Sequence, residues 1–149
     1  MKTKVKQFDT YLATIKNSIG SQIFKNLYFE VENEKKDITE DGWLSCAFYV
    51  SSILYLSKYI KNIHATVSGT ITDLEDSGWK QVDEPEMGSI LIWVKKNGAN
   101  RHRHIGFYVG NKEAISNDSN LKYPIKHNWK YNDNRELEMI LWNPKIKNS

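Results

Sequence analysis

From Leu44 to Ile60 the chain carries apolar or small side chains almost all the way round a helical wheel. Cys46, Val50, Ile53 and Leu54 share one face, and Phe48, Ser51, Ser52 and Tyr55 cover much of the rest. A helix without a polar face must be covered on every side, so it sits at the centre of a domain. Ser45, Ser51 and Ser52 interrupt the run, and it is too short to span a bilayer. Ser45 has the chemistry of an N-cap, which places Cys46 in the first helical turn.

The rest of the chain divides around this helix. Phe8, Tyr11, Leu12 and Ile15 recur at helical spacing before Gly20, which predicts an amphipathic helix over residues 5–18. A second short turn or helix is expected from Ile23 to Tyr28, then a charged loop from Val31 to the Asp41-Gly42 turn signal. Beyond Thr66 a short helical piece from Thr70 to Asp76 ends at Gly78-Trp79. The period then changes. Met87 to Val94 reads as a buried strand opened by a turn at Pro85, and residues 95–101 read as a polar loop. Arg103 to Val109 alternates as a strand, Gly110-Asn111 turns it, Glu113 to Asn117 returns as its hairpin partner, and Leu137 to Trp142 adds a further strand. Helices first and an antiparallel sheet after them define an α+β class.

With 149 residues and 40% hydrophobic content, the chain suits one domain spanning 1–149. The net charge of +3 is spread along the chain rather than gathered into a basic stripe, so nucleic acid is not expected as a partner. The basic start lacks an apolar stretch after it, so no signal peptide is expected and the protein reads as made in the cytoplasm. With one cysteine there is no intrachain disulfide and no Cys-rich zinc site. The four histidines show no short ligand spacing beyond His102 and His104, so neither a metal nor another cofactor is expected.

Cys46 is the residue on which chemistry turns. A thiol in the first turn of a helix faces unsatisfied N–H groups and the positive end of the dipole, which favour its thiolate. It then needs an imidazole to take its proton and deliver it to a leaving amine. His104 opens a strand far downstream, and Gly106, two residues on, has no side chain, which suggests room for a helix to approach. His102 would share that strand face and is the rival base. His127-Asn128-Trp129 forms a further polar and aromatic cluster, and His64 reads as a helix-end residue.

Three stretches together resemble the NlpC-type and CHAP-type cell-wall cysteine peptidases and amidases, whose fold is papain-like. Leu44-Ser-Cys-Ala-Phe-Tyr-Val-Ser is similar to the nucleophile helix, Glu84-Pro-Glu-Met-Gly-Ser-Ile-Leu-Ile-Trp to the turn and first core strand, and His104-Ile-Gly-Phe-Tyr-Val-Gly-Asn to the base strand. The likeness covers residues 43–118. It implies a central nucleophile helix packed on an antiparallel sheet, with Cys46 as nucleophile and His104 as base. The substrate it implies is an amide of a peptidoglycan stem peptide, cut through an acyl-enzyme. A third residue orients the histidine in this family. Counting along the hairpin brings it to Ser116, with Asn117 and Asp118 adjacent; Asn117 is preferred for an amide oxygen that can accept from the ring, although strand alternation puts Ser116 and Asp118 on the other face. Ser45 stands where the family commonly has Asp, and no Tyr-x-x-Gly-Gly element precedes the helix.

These readings leave alternatives open. A papain-like acyltransferase, a deamidase or an effector on a non-wall substrate would use the same thiol, and a binding module would use it only as core. The protein is expected to act as a monomer. A bacterial or phage source is suggested by its Lys, Asn and Ile richness, with release by lysis or a dedicated secretion route.

Overall fold

The computed structural model describes residues 1–94 and 102–149. The expected polar loop at 95–101 lies outside the described residues. Among them the chain forms α1 (Gln7–Asn17), β1 (Tyr28–Val31), β2 (Glu34–Asp37), α2 (Cys46–Leu56), α3 (Val67–Asp76), β3 (Lys80–Val82), β4 (Ile90–Trp93), β5 (His104–Gly110), β6 (Glu113–Asp118), β7 (Tyr123–Asn128), β8 (Leu137–Trp142) and a closing 3-10 turn, Pro144–Asn148. The class is α+β. β1 and β2 make a small hairpin, and the other strands form a six-stranded antiparallel sheet in the order β3-β8-β4-β5-β6-β7.

One face of the large sheet takes the helices. Ile90, Ile92, Ile105, Phe107, Ile115 and Leu141 meet Tyr11 and Ile15 of α1, Tyr49, Val50, Ile53 and Leu54 of α2 and Leu74 of α3 in one buried cluster. Polar anchors orient the helices on it. The Tyr11 hydroxyl donates to the Gly88 carbonyl at 2.7 Å, and the hydroxyls of Tyr49 and Ser18 meet at 2.6 Å. The opposite face holds a second cluster, with Leu91, Trp93, Ala114 and Ile140 covered by Tyr108, Trp129, Tyr131 and Leu137. Because both faces are covered, β4 is buried at every position and reads as a continuous apolar run.

The structure departs from the sequence reading in several places. Residues 23–42 are neither a helix nor a featureless loop: they contain the β1–β2 hairpin, whose turn residues Glu32 and Asn33 both have positive φ (51° and 66°). That is the two-residue turn that matches strand twist. After it, the Asp37 carboxylate gathers the chain by accepting from the backbone N–H groups of Leu27, Thr39 and Asp41. α2 ends at Leu56 rather than Ile60. α3 begins at Val67, because the Thr66 side chain accepts the Gly69 N–H and caps it. β3 and β7 complete the sheet at its two edges.

Candidate active site

The β5–β6 ladder pairs Phe107 with Ile115, Tyr108 with Ala114 and Gly110 with Glu113, so the hairpin zips at its turn. His104 to Gly106 lie before that ladder, while β6 runs on paired with β7 as far as Asp118 opposite Tyr123. The N-terminus of α2 is docked at this end of the hairpin. The Ile105 N–H is near enough to act on the Cys46 thiol, and the Asn117 amide donates to the Gly42 carbonyl at 2.9 Å. Cys46 is thus seated against the first peptide of β5, immediately after His104.

Cys46 is the first residue of α2, as the sequence suggests, but the cap is different. Ser45 makes no side-chain cap; its buried hydroxyl donates instead to the Phe24 carbonyl, tying the helix entrance to the preceding loop. Burial pushes the half-buried Cys46 thiol up from its ordinary pKa, against the opposing pull of the Ile105 and Ala47 N–H groups and the positive charge of Arg135. The expected low thiol pKa is therefore corrected. Desolvation outweighs the helix terminus and favours the protonated thiol.

His104 stands on the other sheet face, its ring 5.3 Å from that of Trp93. Its Nε2 lies 2.9 Å from the Ser116 hydroxyl, and that hydroxyl lies 2.7 Å from His127 Nε2. The proton positions follow from the far end. His127 Nδ1 is 2.7 Å from the Asn128 carbonyl, which can only accept, so Nδ1 carries hydrogen. Burial lowers the His127 pKa and favours the neutral ring, leaving Nε2 as an acceptor. Ser116 then donates to His127, and its oxygen accepts from His104 Nε2–H and from the Tyr131 hydroxyl at 3.2 Å.

Of the sequence-selected residues, Cys46, His104 and Asn117 all line one cleft of about 300 Å³, with Trp43, Tyr131 and Arg135. The geometry places them differently. The His104 ring meets the Ser116 hydroxyl, on the face opposite Asn117, whose amide holds the loop before α2. Gly106 also does something other than expected: a Cβ there would come within 2.8 Å of Ser116 Cβ, 2.9 Å of the Ile115 carbonyl and 3.0 Å of Trp93. It makes room for the side chains around His104 rather than for a helix. His102 is exposed just before β5, while His64 sits away from the cleft, with its Nε2 2.7 Å from Asp73 Oδ2.

Two groups escaped the sequence reading. Tyr131, Asn132 and Asp133 follow one another with positive φ (53°, 54° and 65°), a left-handed turn rarely built without glycine. Asn128 holds it, its Oδ1 accepting N–H bonds from Lys130 and Asn132 at 2.9 Å each. The turn stacks Tyr131 on His127 with ring centroids 4.1 Å apart. Burial pushes the Tyr131 hydroxyl up to about 12, so it stays a donor. Arg135, buried just beyond, donates to the carbonyls of Val94 and His102. The run Tyr131-Asn-Asp offers no signal beyond residues tolerant of turns.

Among the described residues, no group of three or more His, Cys, Asp or Glu is placed to hold a metal ion, and no helix is long and apolar enough to cross a membrane. No protein-family model matches the chain, and no curated protein matches it.

Proposed function

We propose that the chain is a papain-like cysteine amidohydrolase that works through an acyl-enzyme on Cys46 with His104 as general base. The observation that carries this reading is that Cys46, the first residue of α2, and His104, the first residue of β5, line one cleft. A hydrogen-bond chain from Asn128 through His127 and Ser116 reaches His104 Nε2 and fixes the ring at the edge of that cleft.

Because the thiol is protonated at rest, transfer of its proton to His104 Nδ1 accompanies attack on the substrate carbonyl. The sulfur–carbon bond forms, and the carbonyl oxygen takes the negative charge. The N–H groups of Cys46 and Ala47, which already lie beside the sulfur at the helix start, are the donors available to that oxygen. The imidazolium keeps its Nε2–H on Ser116 and delivers the Nδ1 proton to the leaving amine as the carbon–nitrogen bond breaks. Water, deprotonated by the neutral ring, then releases the acid.

For the substrate, resemblance supports amides of peptidoglycan stem peptides. The second reading, an acyltransferase, deamidase or effector acting on a non-wall compound, is favoured by Ser45 in place of the family's Asp and by the missing Tyr-x-x-Gly-Gly element. Incubation with purified muropeptides of several wall types, beside Cys46→Ala as control, distinguishes them. Cleavage that depends on Cys46 is expected from the first reading. Its absence, with Cys46 still acylated by an activated ester, selects the second, and a thiol that no activated ester acylates sinks both.

A further inference from the structure

A second cavity, of about 660 Å³, opens on the other side of Cys46. Its walls are Phe29 of β1, Ile38, Leu44, Ala47, Ala65 and Val67. Leu44, Cys46, His102 and Arg103 border both this groove and the polar cleft, so the sulfur lies where an apolar arm and a polar arm meet. A molecule lying in the groove can therefore present a carbonyl to the sulfur.

The wall chemistry separates the candidate occupants. Among the described residues Thr66 and Ser68 bring hydroxyls to the groove, and both oxygens already serve as acceptors: Thr66 Oγ1 accepts the Gly69 N–H at 3.0 Å, and the Ser68 hydroxyl accepts from the Arg103 guanidinium at 3.4 Å. A peptide backbone laid there would bring N–H and C=O groups that need partners, and leaving them unmet is costly. A hydrocarbon chain brings none, and Phe29, 47% exposed at the groove, gains cover from it. Asn117, Asp118 and Arg135 in the polar arm suit the hydrophilic remainder of such a molecule.

We infer that the substrate of this thiol is an amide or ester of a lipophilic acid, its hydrocarbon chain lying in the groove and its polar leaving group in the cleft. The inference rests on Cys46 as the nucleophile and selects a non-wall substrate. The step balances as an acyl transfer: the sulfur–carbon bond replaces the carbon–nitrogen or carbon–oxygen bond. The thiol proton leaves on the departing amine or alcohol, and water completes the hydrolysis.

The test uses p-nitrophenyl esters from acetate to octanoate, read by nitrophenolate release and by the mass of acylated Cys46. With a constant leaving group, the second-order acylation rate, normalised to thiolysis by glutathione, is expected to rise at least about tenfold along the series as added methylenes leave water. Ala65→Trp fills the groove and should flatten the series. Should that variant misfold, Val67→Glu, which puts a charge at the first residue of α3, carries the same expectation. A flat series, or a chain-length gain that survives whichever variant folds, overturns the lipophilic acyl group alone. No acylation of Cys46 by any ester in the series overturns the nucleophile itself.

Discussion

Ser116 has a single hydroxyl hydrogen, and its direction sets the state of two imidazoles. Donating to His127, it offers only lone pairs to His104 Nε2. Ser116→Ala is expected to lower kcat/KM for any ester that acylates Cys46 by about 10²-fold, the low end of what general-base catalysis contributes. Asn117→Ala should act differently. It strands the Gly42 carbonyl and should cost about 1–3 kcal/mol in denaturant unfolding, without the selective loss of acylation. The thiol makes a third prediction. Burial favours the protonated form, so the pH midpoint of Cys46 alkylation by iodoacetamide should lie above that of the unfolded chain, and a midpoint below it would show a preformed thiolate. The places of Cys46 and His104 at the heads of α2 and β5 were legible because both elements are strongly patterned. The choice among Ser116, Asn117 and Asp118 was not, since it depends on which face of β6 meets the base, and alternation pointed one way while amide chemistry pointed the other.

At the level of elements, the legible parts are those whose side chains repeat: α1, α2, β4, β5, β6 and β8 all fall where periodicity puts them. The β1–β2 hairpin was hidden because charged residues dominate it and its turn is Glu32-Asn33 rather than a glycine pair. Replacing these two residues by Asn and Gly should relieve left-handed strain and stabilise the protein by about 1 kcal/mol, measured by thermal or denaturant melts. The β7–β8 loop was equally silent, yet it brings Tyr131 and Arg135 to the cleft. Asn128→Ala removes the acceptor that holds its left-handed turn. An esterase readout should show acylation falling more steeply than stability, because the loop carries Tyr131 rather than core.

For the molecule as a whole, buried titratable groups predict a stability that declines at both ends of the pH scale. At the acid end, burial works against the Asp37 and Asp73 carboxylates, but hydrogen bonds from Thr39 and Asn26 to the first and from His64 and the Lys61 and Asn62 N–H groups to the second hold both pKa values below the ordinary range. The unfolded chain binds protons first, so stability is full above the ordinary carboxylate pKa and is lost as pH falls through the folded values. At the alkaline end burial raises Tyr11, Tyr49 and Tyr131, the unfolded chain releases protons first, and stability falls as pH rises past the ordinary tyrosine value near about 10. Urea midpoints across pH should trace this dome. A stability flat into alkali would mean that these hydroxyls reach water.

The amino-acid sequence on its own settled that the chain is α+β, that a helix apolar on every side must be central, and that its one thiol heads that helix. Such properties are local, written in the spacing of side chains along a single element. Tertiary structure alone decided that Cys46 lies near the peptide after His104, that burial raises its thiol pKa, and that Ser116, His127 and Tyr131 cluster at the His104 ring. Those contacts join residues far apart in the chain, and they depend on sheet register, on the end of the β5–β6 ladder and on a left-handed loop, none of which leaves a periodic trace.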